Sequence, residues 1–327
     1  MYLFKKQIWL TVGLLLTLVA CGGGETATTT QVDIFDGAAL GCKVSSNGII
    51  ATELGSGVYT FNPALPEGAV ATASGCTDSD TQSLLPELLG AVQSGAMVIS
   101  PITQLIVEAA IAKTVAAGGQ DSELRAGVIT ISTTELTAAT DRIVTNLRLG
   151  DYQPINPKTA NYIVAAKADS TGSSAAAVAM RASLAISTLL KSVEVSAGVG
   201  SARLAVSAVS QAIATSSTVV DLAQRTAIEA VMTTAKEMTP AVATSIQAAS
   251  DAIATIVAII SGATGDIANA IAATTTVSEF LNTATETTIT DSAVIVQLTT
   301  DTETAIAASI AKPACTIGST TLGGCKL

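Results

Sequence analysis

Polar and apolar positions along this chain change rhythm twice. From Ile8 to Leu18 the residues are apolar except Thr11, Gly13 and Thr17, and the basic pair Lys5-Lys6 precedes them. A bilayer span needs about 20 apolar residues, so this run is too short for one. A basic start followed by a short apolar core is the pattern of a secretory signal. Further on the polarity alternates, in Gln31-Val32-Asp33-Ile34-Phe35 and in Leu40-Gly41-Cys42-Lys43-Val44. With Gly57–Phe61 and Ala69–Ala73 these segments predict short strands, and Asp36-Gly37 and Asn47-Gly48 supply the turns between them. A small antiparallel β-sandwich over residues 31–80 is the expectation.

Helical periodicity then takes over. Ser100 and Pro101 suit an N-cap and first turn, predicting a helix to Ala117 that stops at Gly118-Gly119. Ser132-Thr133-Thr134-Glu135 has the capping-box pattern and opens a helix expected to end near Leu149-Gly150, before Pro154 and Pro157. Beyond Lys158 the composition turns to Ala, Ser, Thr, Val and Ile. Ser173–Ala197 and Ala202–Met238 read as nearly unbroken helices, separated by Gly198 and Gly200. Ile246, Ile253, Ile260 and Ile267 recur at sevens, with Ala249 and Ile256 on the same side, which predicts a bundle or coiled-coil seam. The fold class expected is α+β, mainly α: a small β-sandwich followed by an Ala-rich helical bundle. Residues 81–157 form a helical connector, residues 158–312 the Ala-rich domain, and residues 313–327 a tail.

The first apolar run ends in Leu18-Val19-Ala20-Cys21, which resembles the lipobox of bacterial lipoproteins. That resemblance implies a signal peptide at residues 1–20 and lipidation of the Cys21 thiol. Residues 21–30, with Gly22-Gly23-Gly24, suit a flexible tether. The same resemblance, with no Asp at position 22, implies attachment to the outer membrane.

Four further cysteines, Cys42, Cys76, Cys315 and Cys325, make an even number in an exported chain and read as two disulfides. Three pairings satisfy the count. Proximity favours Cys42–Cys76 and Cys315–Cys325, contributing roughly 4 and 3 kcal/mol in the chain-entropy model. A zinc site is disfavoured, because no pair has CxxC spacing and the chain has no histidine.

Composition narrows the function classes. A net charge of −10 gives no electrostatic footprint for nucleic acid. The absence of histidine removes the usual general base and the commonest metal ligand. Aromatic residues make up 3% of the chain, too few for a stacking platform. Asp36-Gly37, Gly41-Cys42-Lys43-Val44 and Gly57-Val58-Tyr59-Thr60-Phe61, followed by Ser100-Pro101-Ile102-Thr103, resemble the prealbumin-like or carboxypeptidase-regulatory-like β-sandwich of bacterial surface proteins. This likeness covers about residues 31–155 and implies a spacer or accessory role.

Chemistry is sparse. Asp78 and Asp80, near Asp33 or Asp36 if the strands close, have the oxygen character calcium seeks, but the EF-hand pattern is absent and a solvated loop is preferred. Lys167 or Lys191 with a serine would make a Ser–Lys pair, yet nothing singles out one serine. The threonine runs at 274–276 and 283–288 read as exposed helix ends or loops. No catalytic residue, cofactor or metal is expected. The reading is a lipid-anchored, non-catalytic envelope protein whose partners are the membrane and an unidentified envelope protein, with self-association through the seam as a further route. The alternative is a carrier enclosing an apolar ligand such as a lipid in the bundle.

Overall fold

The computed structural model describes residues 28–36, 39–156, 160–198, 200–263 and 267–311. Residues 1–27, with the expected export signal, Cys21 and most of the expected tether, lie outside the described residues, as do Cys315 and Cys325. Helix accounts for 56% and strand for 15%, so the chain is α+β and mainly α.

The strands are β1 (Thr30–Ile34), β2 (Ala39–Leu40), β3 (Lys43–Ser46), β4 (Ile49–Ile50), β5 (Thr52–Gly55), β6 (Val58–Phe61), β7 (Val70–Ser74), β8 (Thr77–Asp78), β9 (Leu88–Gln93) and β10 (Ala96–Ile99). Where two packed sheets over residues 31–80 were expected, eight strands join in one sheet of order β4-β3-β7-β9-β10-β1-β6-β5, and β2 pairs with β8 beside it. The edge strands β4 and β5 are separated in sequence by Ala51 alone, so the sheet curls until its edges nearly meet and becomes barrel-like. Pairing is antiparallel except for β1 on β10, which is parallel.

The β unit therefore reaches Ile99, into the segment expected to be a helical connector. The reason is burial on both faces. Leu88 and Val92 of β9, with Met97 and Ile99 of β10, pack into the sheet's own core beside Tyr59 and Phe61. Leu89, Ala91 and Val98 point the other way, into the helical core. A strand covered on both sides shows no alternation. Between them the Ser94-Gly95 turn has positive φ at both residues, 52° and 76°. Gly90 lets β9 and β10 approach closely, since a Cβ there would lie 2.4 Å from the Val98 carbonyl oxygen.

Eleven α-helices follow among the described residues: α1 (Pro101–Ala116), α2 (Asp121–Arg125), α3 (Thr133–Asn146), α4 (Ile163–Ala168), α5 (Ala175–Ala197), α6 (Ala202–Thr215), α7 (Arg225–Met238), α8 (Ala243–Gly262), α9 (Ile267–Leu281), α10 (Glu286–Ile289) and α11 (Ser292–Ala311). Ser100 caps α1 as expected: its hydroxyl accepts from the Thr103 N–H, and the Thr103 hydroxyl accepts from the Ser100 N–H. Ser132 caps α3 through the Glu135 N–H. α5 is the axis of the helical part, packing on α4, α6, α8 and α9.

Two expected continuities are broken. Ala202–Met238 is two helices, because Asn146 of α3 caps the end of α6: its side-chain amide donates to the carbonyls of Ile213 (2.7 Å) and Ser216 (3.3 Å). The Asn146 carbonyl then accepts from the Val220 N–H at 2.7 Å, holding the connecting loop. The seam of isoleucines also divides. Ile246, Ile253 and Ile260 are buried on α8, whereas Ile267 begins α9. By length and composition alone Ala175–Ala197 and Pro240–Gly262 could cross a membrane. In the first, 72% of the apolar window is already buried within the protein.

Candidate functional site

The sheet and the helices meet along β9 and α1, and a polar network is built into the contact. Gln104 of α1 accepts from the Leu89 N–H at 2.5 Å, and the Thr103 hydroxyl donates to the Leu89 carbonyl at 3.1 Å. The Gln104 amide in turn donates to Glu108 Oε1 at 3.0 Å. Glu108 is almost wholly buried and is held by a two-pronged contact from Arg125, at 2.6 and 2.7 Å. Arg125 also donates to Asp121 at 2.9 Å. Burial alone would lower the Arg125 pKa, but hydrogen bonding and charge from Glu108, then Asp121, outweigh it and raise it. The acid is matched by a fork-shaped cation, the geometry that makes a buried ion pair tolerable.

From this network a cleft of about 680 Å³ opens between the β8–β9 connection, α1, α2, α5, α6 and the α9–α10 connection. Its walls carry both signs of charge, including Glu87, Lys191, Glu194, Arg203 and Glu286. Lys191 approaches Glu194 at 3.6 Å. Burial raises the Glu194 pKa, Lys191 opposes the rise, and the Glu87 charge adds to it.

At its other end the cleft shares Leu84, Leu85, Pro86 and Lys191 with a chamber of about 10 Å³, room for one water-sized guest. Two buried carboxylates line this chamber, Asp36 just after β1 and Asp78 in β8. The structure thus brings Asp36, and not Asp33, to Asp78. Asp33 lies on β1 and accepts from the Gln31 side chain. Asp36 accepts from the Ser183 hydroxyl at 3.1 Å, and Ser183 accepts from the buried Tyr162 hydroxyl at 2.6 Å. Burial, then the charge of Asp78, push the Asp36 pKa well above the ordinary carboxylate range against the hydrogen bonds of Ser187 and Ser183. Burial likewise raises Asp78, to about 6. Its carboxylate accepts from the Asp80 N–H at 2.8 Å and the Thr81 hydroxyl at 2.9 Å, which winds the 78–83 turn around it.

The expected solvated loop is therefore wrong at Asp78, which is 1% exposed. Asp80 remains half-buried and pairs with Lys167 at 2.5 Å. Lys167 and Lys191 both face carboxylates. Cys42 and Cys76 sit at disulfide distance, Cα atoms 4.2 Å apart, and Cys76 is two residues before Asp78, so the bond pins the acidic turn. Thr274–Thr276 lie inside α9 and donate to the carbonyls of Ala270, Ile271 and Ala272; Thr274 is buried, against expectation. Thr285, in the second run, caps α10.

Sequence reasoning missed a stripe of hydroxyls on α5: Ser183, Ser187, Thr188, Ser192 and Ser196 are all buried. Their recurrence at intervals of four, 183–187 and 188–192–196, along an Ala-rich helix was the available signal, diluted by many similar serines. It also missed Glu108 and Arg125. Among the described residues no group of three or more His, Cys, Asp or Glu stands ready to hold a metal ion. Comparison with protein-family models, with curated proteins and with solved structures finds no match.

Proposed function

We propose that this chain is a lipid-anchored protein of the bacterial cell envelope, held in the outer membrane through Cys21, that acts by interaction and not by catalysis. The observation that carries the choice between interaction and lipid transport is the packing of α8. Ile246, Ile253 and Ile260 are 0% exposed, so this face of α8 is packed against its neighbours; a groove of about 360 Å³ lies on another face of the helix, beside Ala248, Ala252 and Ile295. A carrier of apolar ligands needs an apolar cavity there. The cleft of about 680 Å³ lies instead at the junction of sheet and helices, where charged side chains stand among apolar ones in its walls. A polar, charge-bearing partner segment suits such walls. In this reading the β unit is a spacer, and the tether gives it reach from the membrane.

Fractionation of cells carrying Cys21→Ser tests the anchor: the variant should leave the membrane fraction, and a variant still requiring detergent for release overturns the lipobox reading. Ile253→Asp tests the filled seam. A charge placed in that packing should cost several kcal/mol and melt much of the helical part. Retained stability with loss of co-purified lipid would instead favour a carrier.

A further inference from the structure

We propose that the chamber lined by Asp36, Asp78, Ser187 and Thr188 binds one calcium ion. Its location does not depend on the envelope role.

The first argument is charge. Asp36 and Asp78 are each 1% exposed and line the same small chamber. Among the described residues no lysine or arginine forms an ion pair with either. Lys167 pairs with Asp80, and Lys191, which also borders the chamber, approaches Glu194 at 3.6 Å. Two neighbouring buried carboxylates without a counter-charge are costly, and a divalent cation matches their combined charge.

The second argument is an orphaned hydroxyl. Three buried threonines inside helices give their hydroxyl to the carbonyl four residues back: Thr140 to Leu136, Thr274 to Ala270 and Thr302 to Leu298, at 2.8, 2.8 and 2.7 Å. Thr188 does not. It is 2% exposed, lines the same chamber, and its Oγ1 has no partner. A buried hydroxyl oxygen without a partner, lining the same chamber as two carboxylates, is placed as a ligand.

The third argument is size and donor type. The chamber admits one water-sized guest, and Thr81, Ser83, Ser187 and Thr274 add neutral oxygens to its lining. Calcium accepts carboxylates together with neutral oxygens in irregular geometry. Magnesium retains several waters, for which the chamber has no space. Two carboxylates among hydroxyls therefore suffice, without a third acid.

Isothermal titration of the purified, chelator-stripped full chain with calcium chloride tests this. One calcium ion per chain should bind, and magnesium chloride at the same concentrations should give no comparable heat. Asp36→Asn keeps the shape and removes a charge; it should weaken calcium binding by about 100-fold, and Thr188→Val by about 10-fold. Thermal melts in chelator establish that both variants are folded. Absence of calcium heat in the unsubstituted chain overturns the proposal. So does calcium binding that both folded variants leave unchanged, since the ion then sits elsewhere.

Discussion

The two ends of the cleft bury acids in opposite ways. At one end Glu108 is surrounded by donors: the Arg125 fork holds both oxygens, and the Gln104 amide closes the remaining side. At the other end Asp36 and Asp78 share a chamber lined in part by hydroxyls, and the groups that hydrogen-bond to them are neutral. The first arrangement is complete within the chain and ties β9 to α1 and α2. The second leaves excess negative charge in the interior, tolerable with a proton or a bound cation. Burial of a carboxylate thus says little by itself; its partners decide whether it is structural or available to a guest.

The largest effect should come from breaking the complete end. Arg125→Met leaves Glu108 buried without its cation and should cost about 3–5 kcal/mol in denaturant unfolding. Replacing both residues by apolar ones, Arg125→Met with Glu108→Leu, should recover most of that loss, because the pair's net worth is far smaller than the cost of breaking it. If the single variant is neutral, the two ends do not differ as described.

Next in size is the disulfide that pins the acidic turn. Cys42→Ser with Cys76→Ser opens a loop of 34 residues and should cost about 2–4 kcal/mol, measured by thermal unfolding under non-reducing conditions. The same change should loosen the 78–83 turn more than α1, which amide hydrogen exchange resolves residue by residue.

Stability should also respond to pH in a sense set by the acidic end. The Asp78 pKa rises from 3.8 to about 6 on folding, so the folded state holds the proton more tightly than the unfolded one. Its stabilising contribution is complete below about pH 4 and is lost as pH rises through 6, up to about 3 kcal/mol for this group. Asp36 moves in the same direction. In chelator the protein should melt higher at pH 5 than at pH 8, and the difference should shrink in Asp78→Asn. A melting temperature that climbs from pH 5 to 8 would contradict this.

Local signals were legible where they are self-contained. Ser100-Pro101 and Gly118-Gly119 bracket α1, Ser132 starts α3, and alternation located β1, β6 and β7 to within a residue or so. Tertiary partners erased the rest. β9 lost its alternation because the helices cover its second face. The break after α6 depends on Asn146, about 70 residues upstream, and no Gly or Pro marks it. The sevenfold isoleucine spacing continues past the end of α8, so Ile267 obeys the period while sitting on the next helix. At the site, Asp36, Asp78 and Asp80 stood out as residue types. Their burial did not, because it is created by Ser183, Ser187 and Thr188 more than 100 residues away.

The smallest predicted effect is the most direct test of the contrast between the ends. Asp36→Asn removes a buried charge while keeping the side chain's shape and its contact with Ser183. In chelator at pH 7.5 its thermal midpoint should equal that of the unsubstituted chain or exceed it by about 1–2 °C, the change that about 1 kcal/mol brings in a chain of this size. A drop as large as that of Arg125→Met would show that Asp36 is as fully partnered as Glu108, and would contradict the account.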